Sequence, residues 1–170
     1  MQMVSVCLHG PVVLSLLKYL PKTRPTSVVI IDSYVEMTAE QMTVRRAKAS
    51  ADARVNPHPT VEDYMEANPL WTREDAVWRV LGTQIAGVGN YDHHLDGNVP
   101  WSFSHLLADR PDVAALTFLV ADPRLNGVLK LEAVVNIKDV RVVIVPNASH
   151  WIQYEFPEVI VEEALRNVEE

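Results

Sequence analysis

Four short apolar runs constrain the fold of this chain more than any other feature. They are MVSVCLHG near the N-terminus, TSVVIID with Val28 to Ile31 at its centre, Leu116 to Val120, and VRVVIV before Pro146. None sustains the apolar–polar alternation of a strand with one wet face. Strands buried on both faces have this signature, and they belong to parallel sheets covered by helices. The segments between them fit that requirement. PVVLSLLKYLP opens on Pro11, which suits a first helical turn. VLKLEAVVNI, residues 128–137, is compatible with a helix, and PEVIVEEALRNV is an amphipathic helix that begins at Pro157.

The middle of the chain has a different character. Three capping-box patterns occur there, Thr38 to Gln41, Thr60 to Asp63 and Thr72 to Asp75, each ahead of a helix-compatible stretch. NPHP at 56–59 and Asn68-Pro69 break the segments apart, and a glycine-rich connection, GTQIAGVGNYDHHLDGNVPW, ends at Trp101. The expected order is strand–helix–strand, a helical insertion, then strand–helix–strand–helix. That is an α/β protein, a short, mostly parallel β-sheet flanked by helices. Residues 1–35 and 111–170 form its core, and residues 36–110 are inserted between them.

Composition narrows the partners. A net charge of −7 opposes binding to a nucleic-acid backbone. No run of about 18 apolar residues is present, so no membrane span is expected. The start MQMVSVCLHG lacks the basic end and long apolar stretch of a secretion signal. A single cysteine, Cys7, cannot form an internal disulfide, and a reducing, cytoplasmic setting is expected. The 170 residues suffice for one domain with a real core.

Ligands of such sheets bind at the carboxyl ends of the strands. Gly10, Asp32, Asp122 and His150 all fall at such ends. An imidazole in a strand-to-helix loop can exchange protons near neutral pH, and a carboxylate beside it fixes its tautomer. Each residue also has a plainer reading, as a loop histidine satisfied by backbone or as a turn-starting aspartate. The run YDHHLD offers Asp92, His93, His94 and Asp96 as ligand types. Adjacent histidines on one loop rarely both reach an ion, and no cysteine pair or H-E-x-x-H helix supports them. No metal or other cofactor is expected.

The stretch NASHWIQYEFPEVI, with VADPRLNGVL before it and SVVIID further upstream, resembles the last part of an α/β-hydrolase-fold enzyme. In that superfamily a histidine follows the final strand, and an E-x-P pattern follows the histidine. The resemblance implies a hydrolase of a small ester, lactone or related carbonyl compound. His150 would be its catalytic histidine and Asp122 the acid, with Asp32 as the alternative because some members carry the acid after the earlier strand. The usual acid position lies slightly further into the turn, where this chain has Arg124 and Leu125. The helical insertion would then be the cap, and Trp71, Trp78 and Trp101 would pack it or line an apolar substrate pocket.

The chain departs from the superfamily at its front. No G-x-S-x-G nucleophile elbow is present. VSVCLHGPVVLSLL fits either the elbow and its helix or the earlier strand whose His9-Gly10 turn helps shape an oxyanion hole. Cys7 is a nucleophile by chemistry, but Gly10 falls one residue too late for the elbow, so a small buried hydrophobe is the plainer reading. The superfamily's sheet has about eight strands and this chain supplies four. The alternative is therefore a shortened, non-catalytic member that binds an apolar ligand or a protein partner. An uncovered sheet edge would also invite homo-oligomers.

Overall fold

The computed structural model describes residues 2–6, 9–19, 26–55, 58–86, 100–108, 114–125 and 127–166. Two strands of two residues each, β3 (Glu36–Met37) and β4 (Trp101–Ser102), stand apart from the main sheet. That sheet is four-stranded and all-parallel, built of β1 (Gln2–Val6), β2 (Thr26–Ile31), β5 (Ala114–Val120) and β6 (Val140–Ile144) in the order β1-β2-β5-β6. The registers pair Val6 with Ile31, Ile31 with Leu119, and Val120 with Ile144. The exits of all four strands therefore lie side by side.

The absence of alternation now has its physical cause. Val28, Ile30, Leu116, Phe118 and Val120 face one apolar cluster, with Val13, Leu14 and Leu17 of α1 (Gly10–Leu17) and Leu107 of the short α5 (His105–Ala108). Val29, Ile31 and Leu119 face a second cluster, with Ile152 of α6 (Ile152–Glu155) and Ala164 of α7 (Pro157–Arg166). Val28 to Ile31 have no exposed surface at all. At roughly 1.5–3 kcal/mol for each large apolar side chain buried, this strand alone is a major part of the driving force.

The chain divides into two compact units, residues 1–36 with 102–170, and residues 37–101. Within the first unit, Glu36 accepts hydrogen bonds from the Ser102 hydroxyl at 3.1 Å and the Ser104 backbone N–H at 2.9 Å. Partial burial would raise the Glu36 pKa, but these bonds outweigh it and hold the carboxyl below its ordinary range. The second unit is helical, with α2 (Ala39–Val55), α3 (Val61–Ala67) and α4 (Arg73–Ala86). All three capping boxes form. Thr38, Thr60 and Thr72 each accept from the backbone N–H three residues on, and each receives that residue's side chain on its own N–H.

One expected helix is absent. Residues 128–137 hold only a single 3-10 turn, Leu131–Ala133, followed by turns. The backbone N–H groups of Val128 and Leu129 point instead to the Asp32 carboxylate, and Leu129 and Val134 drop into the first apolar cluster. β-branched Val134, Val135 and Ile137 add little resistance to leaving the helix.

Gly10, at the first turn of α1, has no room for a side chain. A Cβ there would overlap the Ser33 hydroxyl and lie 2.6 Å from the Ser33 Cβ. Gly10→Ala is expected to cost about 1–3 kcal/mol through overpacking, read as a lowered urea midpoint with an unchanged slope.

Candidate active site

The site is assembled from the exits of β2 and β6, with β5 between them. Asp32 follows β2 directly. Its backbone N–H still donates to the Leu119 carbonyl at 2.8 Å, continuing the ladder. Its φ of 36° then turns the chain into a region that residues other than glycine seldom enter. That turn aims a carboxylate with no exposed surface back across the sheet end.

The Asp32 carboxylate accepts backbone N–H groups from Leu129 at 3.1 Å and Ala121 at 3.4 Å on Oδ1, and from Val128 at 2.8 Å on Oδ2. The same Oδ2 lies 2.8 Å from Nδ1 of His150. His150 is itself 8% exposed, and its ring centroid is 5.0 Å from that of Trp151. A buried carboxylate is tolerable only when its lone pairs are filled, and here backbone donors and an imidazole fill them. The pair is thus held from the carboxylate side by the main chain.

Asp122, the first expectation for the acid, is engaged elsewhere. Its carboxylate is taken by Arg124, with Nε 2.9 Å from Oδ1 and Nη2 2.6 Å from Oδ2, and by the backbone N–H groups of Arg124 and Asn147. These bonds, led by the Arg124 guanidinium, hold the Asp122 carboxyl well below the usual carboxylate range. The contact with His150 belongs to Asp32. The sequence signal for this is an apolar strand that ends directly in aspartate, a signal both residues share.

Gly10 is buried against Ser33, next to Asp32, and His9 is the exposed N-cap residue of α1 with no side-chain capping bond. Cys7 and the YDHHLD run lie outside the described residues. Trp71 is buried and stacks on Tyr64 with centroids 5.9 Å apart; Trp101 is also buried. Trp78 is largely exposed on α4, its Nε1 3.4 Å from Glu74. Among the described residues, no cluster of three or more metal-ligating side chains occurs, and no helix is long and apolar enough to cross a membrane.

Several solved structures share the fold of this chain. E-2-(acetamidomethylene)succinate hydrolase superposes on 99% of this chain with a TM-score of 0.65 at 15% identity. The 2-hydroxy-6-oxo-6-phenylhexa-2,4-dienoate hydrolase of Rhodococcus sp. strain RHA1 superposes on 98%, with a TM-score of 0.65 at 16% identity. This chain has part of an α/β-hydrolase fold. It spans about two thirds of those structures, 66% of the first and 63% of the second. The same hydrolase fold appears in 1H-3-hydroxy-4-oxoquinoline 2,4-dioxygenase, with a TM-score of 0.55, 18% identity and coverage of 100% of this chain and 66% of that one. The fold alone therefore does not fix the reaction. No protein-family model matches the sequence, and no curated protein is detectably similar to it.

Proposed function

We propose that this α/β-hydrolase-fold chain acts on a small ester, lactone or related carbonyl compound, with His150 as general base and Asp32 as its orienting acid. The observation that carries this reading is the buried 2.8 Å contact between Asp32 Oδ2 and His150 Nδ1 at the carboxyl ends of the strands. With Nδ1–H donated to Asp32, a neutral imidazole carries its basic lone pair on Nε2. As that ring accepts a proton from a nucleophile, the carboxylate stabilises the positive charge. His9 and Gly10 would border the oxyanion position. Cys7 is the first nucleophile to test, and water activated by His150 the second. The helical insertion, residues 36–110, would serve as the cap.

A second reading is favoured by β1, an edge strand on which Val4 is half exposed, in a sequence without G-x-S-x-G. In it, the chain is a non-catalytic member that binds an apolar ligand or pairs with a partner through that edge. Hydrolysis of a short p-nitrophenyl ester at pH 8 separates the readings. Turnover by the wild type that falls about 10²–10⁴-fold in His150→Ala supports the enzyme. Rates equal to the buffer blank, from a protein whose near-ultraviolet circular dichroism shows ordered tryptophans, support the binder.

A further inference from the structure

We infer that Asp122 and Glu155 are positioning residues for His150, two carboxylates that clamp the three loop residues leading into the imidazole. Asp32 fixes the ring only through Nδ1. The backbone that delivers the ring has to be fixed separately, and the loop 145–151 is short of regular structure. Two sets of contacts supply what is missing.

On the N-terminal side, Asn147 has a φ of 61° and donates its N–H to Asp122 Oδ2 at 2.9 Å. The Asp122 N–H donates in turn to the Ala148 carbonyl at 2.9 Å. Asp122 thus grips two successive residues of the loop, one through its side chain and one through its main chain. The Arg124 guanidinium spans both carboxylate oxygens and fixes the carboxylate's plane. At the next residue, Ser149 donates its N–H to Glu155 Oε2 at 2.6 Å and its hydroxyl to Glu155 Oε1 at 2.5 Å. The Ser149 hydroxyl also accepts the Trp151 N–H at 3.2 Å. Glu155 lies in α6, which is anchored by fully buried Ile152. Residues 147, 148 and 149 are therefore held, and His150 follows them with its ring between Asp32 and Trp151.

The clamp rests on the reading of His150 and Asp32 as an acid–base pair, so its test reads the imidazole and not turnover. In protein labelled with ¹⁵N-histidine, the His150 Nδ1 proton is expected to be protected from water by Asp32. Asp122→Ala and Glu155→Ala are each expected to speed its exchange about tenfold or more, the loss expected when a charged hydrogen-bond acceptor is removed. Asp122→Asn and Ser149→Ala, which keep part of the contact set, are expected to fall between these variants and wild type. They also provide the measurement should an alanine variant fail to fold. Wild-type exchange in the folded variants, with only a lowered Tm, would make the two carboxylates structural and overturn the clamp alone. No protected Nδ1 proton in the wild type would overturn the Asp32–His150 pairing and the clamp with it.

Discussion

Asp32→Asn is expected to leave a folded protein and to lower any His150-dependent hydrolysis by up to about 10⁴-fold, the scale seen when an amide replaces the acid of such a pair. The cause is local. The substituted amide has the shape of the carboxylate, but a neutral group cannot stabilise an imidazolium, and its N–H₂ competes to set the wrong tautomer. Asp32→Ala is expected to behave differently, losing about 3–5 kcal/mol of stability. It removes the acceptor of the Ala121, Val128 and Leu129 N–H groups and of the His150 ring, and leaves buried donors unfilled. Urea unfolding of both variants beside ester kinetics checks the split. An Asp32→Ala protein as stable as wild type would mean that these bonds do not hold residues 127–129 in place. An Asp32→Asn protein with wild-type turnover would remove Asp32 from the chemistry.

The Asp32 contact explains how far the sequence alone can reach. The parallel sheet is legible because burial on both faces writes itself into Val28 to Ile31 residue by residue. The capping boxes are legible because each involves residues only three apart. The histidine loop and the amphipathic helix that begins at Pro157 are legible as a contiguous pattern. The choice between Asp32 and Asp122 is not. Both end an apolar strand, and both strands are central and adjacent in the sheet. What separates them is the φ of 36° at Asp32 and the two N–H groups that arrive from residues nearly one hundred positions later. The absent helix at 128–137 is the same fact seen from the other side. Its first residues give up helical bonds to fill the Asp32 carboxylate, a contact that no local pattern encodes. Arg124 carries a signal of its own. Its guanidinium is what occupies Asp122.

Stability is expected to fall steeply as the pH drops below about 4.5, near the ordinary carboxylate range, and carboxylates that the fold keeps ionised, Asp122, Glu163 and Glu36 among them, set that limb. Asp122 is held well below its ordinary range by Arg124 and the Asn147 N–H, and Glu163 by Arg141, whose Nε lies 2.7 Å away. Partial burial would raise Glu36, but the bonds from Ser104 and Ser102 outweigh it and lower the pKa. In each case the folded state favours the ionised form more than the unfolded chain does, where Asp and Glu titrate near 4. The stabilisation is therefore fully present above that range, and it is lost as the pH falls toward the lower folded values. Thermal unfolding from about pH 7 to about pH 2.5 should show a flat Tm above about pH 5 and a steep decline below it. Glu163→Gln keeps the Arg141 contact without a charge to lose, and Asp122→Asn does the same beside Arg124. Each should start from a lower Tm at neutral pH and decline less steeply in acid, so that the curves converge on the wild type at low pH. Parallel curves would mean that these carboxylates are not what acid titrates. In the folded protein Asp122 stays ionised through this range, so its hold on Asn147 should persist until the chain unfolds.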